Sequence, residues 1–324
     1  MRSKLEWVAA EVVEVRQVAQ DVRQIELMSQ APLPRFEPGS HTNVRVEIAG
    51  GSTTRAYTCL PAPAGRIRIA VKRHENSRGG SRFMWGLEQG MAISVTLPEN
   101  RFELSWRDAP RLLVAGGIGI TPIYGMASAL DERSAPFRMV YGGKNRRSMA
   151  FADELQARLG GRLALFAADE GARIDLPGEI SALPDDGELY VCGPIAMLDA
   201  AKAAWLAAGR PVSRLRYEVF GDSGTFAEAP FQVEVARRNV LVDVRPDQTL
   251  LEALTGAGVD MVYDCQRGEC GLCAVDVVAA DAEIDHRDVF FSPEQKREGK
   301  RMCACVSRLA GGRAVIDVGY RPPG

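Results

Sequence analysis

The chain has 324 residues, 46% of them hydrophobic and 25% charged, with 40 Lys and Arg against 42 Asp and Glu for a formal net charge of −2. At roughly 100–200 residues per domain, that length suggests two or three domains, each with enough apolar material for its own core. A balance this close to neutral speaks against nucleic acid or an anionic membrane as a partner.

Residues 1–14 contain no continuous apolar h-region and no small-residue cleavage site, so no secretion signal is read and a cytoplasmic location is expected. From Glu6 to about Thr96 the chain predicts short strands at Val8–Val15, Val22–Leu27, Thr42–Ile48, Arg66–Val71 and Ala92–Leu97. Turn residues such as Pro38-Gly39 and Gly79-Gly80 separate them, which suits an antiparallel barrel or sandwich.

The stretch from Leu112 to Leu130 carries no Asp, Glu, Lys or Arg. Its length would suit a membrane span. Gly116, Gly117, Gly119, Pro122 and Gly125 interrupt it, so it reads as strand, turn and helix. Further apolar runs begin near Phe137, Leu163, Leu189 and Leu215. Helical spacing lies between several of them: Ile123, Met126, Ala127 and Leu130, then Phe151, Leu155 and Leu159. This alternation predicts βαβ units around a parallel sheet.

Residues 221–230 are small and polar and read as a linker. Beyond them Phe231–Ala236 and Val240–Val244 predict a hairpin, Leu250–Leu254 a short helix and Arg313–Val318 a closing strand. The expected division is 1–107, 108–225 and 226–324, with no internal repeats.

Five of seven cysteines fall in the last quarter, which favours metal binding over a disulfide framework. Cys265, Cys270 and Cys273 form C-x4-C-x2-C, the plant-type [2Fe–2S] spacing when one distant cysteine completes it. Gly268 and Gly271 suit a loop that turns its N–H groups toward sulfur. Zinc is the alternative, but zinc loops favour paired C-x2-C units or histidines. Cys303 and Cys305 are both available as fourth ligand, and in an extended segment both would point to one face.

Gly116, Gly117, Gly119, Thr121 and Pro122 join a strand to a helix whose N-terminus can receive a pyrophosphate. Pro122 stands where a dinucleotide fingerprint has its third glycine. Cys192-Gly193-Pro194 closes a later strand at the carboxyl end, where such sheets bind ligands. Lys144 and Arg146, with Arg147, follow the strand ending Val140-Tyr141 and could pair with the 2′-phosphate of NADPH, or form only a solvated turn. Arg55-Ala56-Tyr57-Thr58 and Arg78-Gly79-Gly80-Ser81 could pack on and hold a flavin phosphate. A hydride donor and a one-electron cluster need such a converter between them.

Together these motifs, with Asn76-Ser77, Glu218-Val219-Phe220-Gly221, Asp285-His286-Arg287-Asp288 and Cys305-Val306-Ser307-Arg308, resemble the phthalate dioxygenase reductase family, which includes vanillate demethylase and carnitine monooxygenase reductases. The resemblance spans essentially the whole chain. It implies an antiparallel β-barrel flavin domain, a parallel α/β nicotinamide domain and a C-terminal β-grasp ferredoxin domain.

The resemblance further implies FMN contacted by Arg55, Tyr57 and Thr58, with its phosphate on Arg78, Gly79, Gly80 and Ser81. It places NADH, with NADPH possible, on Gly117 to Pro122. Cys192 should lie near the nicotinamide and Phe220 beside the flavin. Cys265, Cys270, Cys273 and Cys305 should hold the cluster, since the fourth ligand precedes Val-Ser-Arg. The implied activity is electron transfer to an oxygenase component of Rieske type. A cluster-bearing redox sensor, or a stand-alone NAD(P)H flavin reductase with zinc in place of the cluster, are the alternatives.

Overall fold

The computed structural model describes residues 6–48, 51–74, 79–220, 226–238 and 240–319. The chain divides by its internal contacts into two compact units, 3–218 and 219–324.

The first unit opens with an antiparallel sheet of β1 (Trp7–Ala19), β2 (Val22–Ser29), β3 (Ser40–Ile48), β4 (Gly51–Thr58), β5 (Arg66–Lys72), β6 (Ala92–Thr96) and β7 (Glu99–Asn100). The order is β4-β3-β6-β1-β2-β5, with β7 on β3. Alternation sets the inner face: Val8, Ala10 and Val12 are buried while Ala9 and Glu11 are exposed. The edges meet just past β4, where the Leu60 N–H donates to the Arg68 carbonyl at 2.7 Å. Helix α1 (Gly80–Trp85) follows β5.

Next come five parallel strands, β8 (Arg111–Gly116), β9 (Phe137–Gly143), β10 (Leu163–Ala167), β11 (Glu188–Cys192) and β12 (Leu215–Glu218), in the order β10-β9-β8-β11-β12. Helices α2 (Ile120–Glu132), α3 (Ala152–Leu159), α4 (Leu176–Ala182) and α5 (Ile195–Ala207) connect them. Every residue of β8 and β11 is buried, as strands covered on both faces require. The uncharged stretch at 112–130 is therefore β8, a glycine turn and α2. Among the described residues no helix is long and apolar enough to cross a membrane.

The second unit is a mixed sheet of β13 (Phe231–Val235), β14 (Val240–Val244), β15 (Ala274–Ala280), β17 (Arg301–Cys303) and β19 (Arg313–Asp317), after the short pair β16 (Ile284–Asp285) and β18 (Arg308–Leu309) is set apart. The order β14-β13-β19-β15-β17 places the parallel pair β13–β19 at the centre. Helix α6 (Leu250–Gly256) starts at a capping box between Thr249 and Glu252 and buries Leu250, Leu251 and Leu254 against this sheet. Helix α7 (Pro293–Glu298) is capped in the same way by Ser292 and Gln295.

Several elements escaped the sequence reading. β4 carries Arg, Ser and Thr where alternation would need apolar residues, and β15 to β18 and α7 surround the cysteine loop without a periodic signal. Of the expected linker, residues 221–225 lie outside those described.

Candidate functional site

The parallel sheet reverses its order between β8 and β11, which puts its topological switch point outside the carboxyl ends of these two strands, the position where such sheets bind ligands. The glycine turn after β8 and Cys192-Gly193-Pro194 after β11 form its two walls. Their approach is so close that a Cβ on Gly119 would lie 2.2 Å from the Cys192 carbonyl oxygen. One on Gly193 would lie 3.1 Å from the Gly116 Cα. Thr121 turns its hydroxyl back to the Ile118 carbonyl at 3.1 Å, and Pro122 sits inside the first turn of α2, where a missing N–H costs nothing. The fully buried Tyr141 donates its hydroxyl to the Gly117 carbonyl at 3.2 Å. Nothing in the strand pattern distinguished this tyrosine from an ordinary core residue.

Lys144 and Arg146 lie beyond β9, one strand from the glycine turn. A capping box between Asn145 and Ser148 shapes their loop.

In the antiparallel sheet, Arg55, Tyr57 and Thr58 lie on β4, paired with Val44, Thr42 and His41 of β3. Arg55 covers the start of α1, because a Cβ on Gly80 would come within 3.0 Å of its Nε. Gly79, with φ +96, makes the turn into that helix. Ser81 accepts from the His74 N–H at 3.4 Å. The Thr58 Oγ1 is buried with no partner among the described residues. A hydroxyl held dry in this way is costly unless a bound group completes it, so the strand fits a polar heterocycle such as a flavin. Arg78 lies outside the described residues.

In the second unit the cysteine loop is curled so that Cys265 Sγ accepts from the N–H groups of Arg267, Glu269 and Cys270, each at 3.4 Å. Gly268 and Gly271 hold φ of +75 and +71, a region that costs other residues strain. The Val289 N–H donates to the Gly268 carbonyl at 3.0 Å and braces the loop from behind. Three sulfurs converge from the other side: Cys273, Cys303 and Cys305 are all buried, and the Sγ atoms of Cys273 and Cys305 lie 3.1 Å apart. Hydrogen bonds with Cys303 and Cys305 hold the Cys273 thiol down to about 3. The same sharing, added to burial, pushes both partners far up. Burial raises Cys265 despite its three N–H donors. Thiols gathered around Cys273, beside a loop whose backbone N–H groups face the Cys265 sulfur, fit an iron–sulfur centre that takes several thiolates.

Cys303 and Cys305 do not share one extended face. β17 ends at Cys303, and the N–H groups of Val306 and Ser307 both turn back to the Cys303 carbonyl at 3.2 and 2.9 Å. Cys303 stays in register opposite Ala274, with Cys273, Asp288 and Cys305 around it. Cys305 meets Cys273 and the Gly268 N–H and feels the charge of Cys265, all of them on the cysteine loop.

Asp288 anchors the loop from below. It is fully buried, accepts from the Phe291 N–H and the Ser307 hydroxyl at 3.0 Å each, and lies 3.5 Å from His286 Nδ1. Burial opposes its charge, but His286, the Phe291 N–H, Lys296 and Ser307 hold its carboxyl below the usual range. Arg287 is buried between Asp285 at 2.8 Å and Glu228 at 3.0 Å. Phe220 is half-buried at the start of the second unit.

Three family models match in chain order: an oxidoreductase FAD-binding domain over residues 9–104, an oxidoreductase NAD-binding domain over 113–203 and a 2Fe-2S iron-sulfur cluster binding domain over 233–310. The reductase subunit of the toluene-4-sulfonate monooxygenase system of Comamonas testosteroni is 34% identical over 95% of this chain and 98% of its own. The carnitine monooxygenase reductase subunit of Escherichia coli (strain K12) is 30% identical over 95% and 97%. The solved structure of phthalate dioxygenase reductase superposes with a TM-score of 0.79 at 31% identity, covering 96% of this chain and 98% of that one. This chain is thus an oxidoreductase with flavin, nicotinamide dinucleotide and [2Fe–2S] domains, and it belongs to the phthalate dioxygenase reductase family.

Proposed function

We propose that the chain is the reductase component of a multicomponent oxygenase, carrying electrons from NADH by way of FMN and a [2Fe–2S] cluster to a Rieske-type partner. The observation that carries this reading is the pairing, in one chain, of a switch-point crevice walled by Gly119 and Cys192 with a cysteine loop whose N–H groups face sulfur. A flavin accepts a hydride and releases single electrons, which a [2Fe–2S] cluster passes on one at a time. Within the reading, residues 1–107 hold the flavin, 108–225 the dinucleotide and 226–324 the cluster.

The glycine turn receives the pyrophosphate on the α2 N-terminus. Cys192, small and buried, leaves room for the nicotinamide ring at the crevice floor. Arg55, Tyr57 and Thr58 contact the flavin, Thr58 through its unpartnered hydroxyl, and Arg78 with Gly79, Gly80 and Ser81 binds its phosphate. FMN is the flavin we propose for this set, on the resemblance of its motifs to the family. Cys265, Cys270, Cys273 and Cys305 ligate the cluster, and the contacts of Cys305 with both arms of the loop support it over Cys303. A cluster of this kind needs reduced thiols, which a cytoplasmic location supplies.

The test is reconstitution. Purified protein should contain acid-labile sulfide, two irons and one extractable flavin, should oxidise NADH with an artificial acceptor, and should support turnover by a Rieske-type oxygenase. Zinc without sulfide would overturn the cluster, and an absence of steady-state turnover would favour a redox sensor. Cys305→Ser should lose the visible and EPR signals of the cluster while Cys303→Ser retains them, and the reverse would reassign the fourth ligand.

A further inference from the structure

The cysteine loop carries a charged pair that sulfur ligation does not require. Arg267 Nη2 lies 3.2 Å from Glu269 Oε2. The two residues flank Gly268, and the main-chain N–H of each donates to the Cys265 sulfur at 3.4 Å. Gly268 is clamped in its own right: its φ is +75, and a Cβ there would lie 2.8 Å from the Asp288 Cα. The loop backbone is thus fixed by its own N–H groups and by Asp288, which leaves the charged pair to serve another purpose.

The second oxygen of Glu269 shows what that purpose is. Oε1 accepts the N–H of Val219 at 3.2 Å, from 50 positions back along the chain. Val219 is buried and opens the second unit. The residue before it, Glu218, ends β12 in register with Cys192. One hydrogen bond therefore ties the cysteine loop to the point where the chain leaves the parallel sheet, and bypasses all the chain between. A carboxylate mostly withdrawn from water is costly unless its oxygens are partnered. Here Arg267 takes one, and the other is spent on main chain in a charge-assisted bond, which is about twice as strong as a neutral one.

We propose that Glu269 is a positioning residue for the electron step from flavin to cluster: it pins the cysteine loop to the exit of β12 and so limits how far the cluster can stray from the end of that strand. Two groups on one chain meet at an effective concentration set by the tether between them, and a pin that shortens the tether raises it. Steps that depend on position slow steeply with small misplacements. Arg267 holds the carboxylate in the orientation that reaches Val219. The inference rests on the reading of the chain as a flavin-to-cluster reductase and adds to it the side chain that restrains the tether.

The test separates reach from charge in the full-length holoprotein. Glu269→Gln keeps an oxygen at the same reach and loses the charge. Glu269→Asp keeps the charge and loses one methylene of reach. Hydrogen exchange at the Val219 amide should be about tenfold faster in Glu269→Asp and unchanged in Glu269→Gln. In stopped flow with NADH, bleaching of the cluster absorbance should slow about tenfold in Glu269→Asp and by no more than about twofold in Glu269→Gln. Bleaching of the flavin should keep its wild-type rate in both, and so should the content of iron and sulfide. A merely structural role would lower cluster content and leave the two bleaching rates in their wild-type ratio. Wild-type exchange at Val219 or wild-type cluster bleaching in Glu269→Asp overturns the inference alone, and so does a Glu269→Gln protein as slow as Glu269→Asp. A wild-type cluster that NADH does not bleach overturns the functional reading and the inference with it.

Discussion

The glycine turn of the first unit and the cysteine loop of the second are both built on glycine, but for different reasons. At Gly119 the backbone has an ordinary φ of −61, and the constraint is distance: two loops pass so close that a Cβ would strike the Cys192 carbonyl. At Gly271 the constraint is conformation, with φ at +71, and the atoms a Cβ would meet belong to the ring of Phe290, a side chain that is 45% exposed. Backbone cannot move aside, whereas an exposed ring can. One site is therefore rigid because main chain is packed on main chain. The other is rigid because Asp288, Cys265 and their hydrogen-bond donors hold it.

The comparison breaks most sharply at Gly119. Gly119→Ala should destabilise the first unit by roughly 3 kcal/mol and abolish NADH oxidation. The visible spectrum of the cluster should persist, since the second unit is compact on its own. Urea unfolding and steady-state rates would check both parts, and full activity in this variant would disprove the packing argument.

Asp288 tests the other kind of rigidity. Asp288→Asn removes a charge-assisted anchor and should cost the second unit about 2 kcal/mol. Because the folded carboxyl is held below its ordinary value of 3.8, its contribution is complete above that value and fades only as pH falls through the folded pKa. Thermal melts of wild type and variant should therefore differ by a constant amount near neutral pH and converge in strong acid. A difference that grew on acidification would contradict the sign.

Gly271→Ala should have the smallest effect, about 1 kcal/mol, which is the strain of a left-handed residue once Phe290 has turned away. Thermal melts check this, and adding Phe290→Ala should recover none of that strain. If the single variant proved as damaging as Gly119→Ala, the distinction between the two loops would fail.

Much of the fold was legible in the sequence where a period could be counted. The strands predicted at 22–27, 66–71, 92–97 and 240–244 differ from the observed ones by at most two residues at either end. The helix expected from Ile123 to Leu130 is the centre of α2. β4 was missed because Gly51-Ser52-Thr53-Thr54-Arg55 alternates nothing, and it is made a strand by pairing with β3. The elements around the cysteine loop were missed because irregular chain there is stabilised by buried polar groups. Arg308, for example, is fully buried and reaches the carbonyls of Ala229 and Arg245 at 3.1 and 3.0 Å, and also that of Gln248. No periodicity announces such contacts.

By itself the sequence determined the chemistry that is local along the chain. The C-x4-C-x2-C spacing and the strand–glycine–helix turn each depend on near neighbours in the chain, and the order of the three domains follows from where such motifs fall. The tertiary structure decided what depends on neighbours from elsewhere. A turn after β17 separates the surroundings of Cys303 from those of Cys305, which strand geometry alone would have left equivalent. The pairing of β9 with β10 sets Glu170 beside Arg146, 24 positions away, and makes a basic loop half acidic. Charge and steric contact act through space, so they can be assigned only once the strands have chosen their partners.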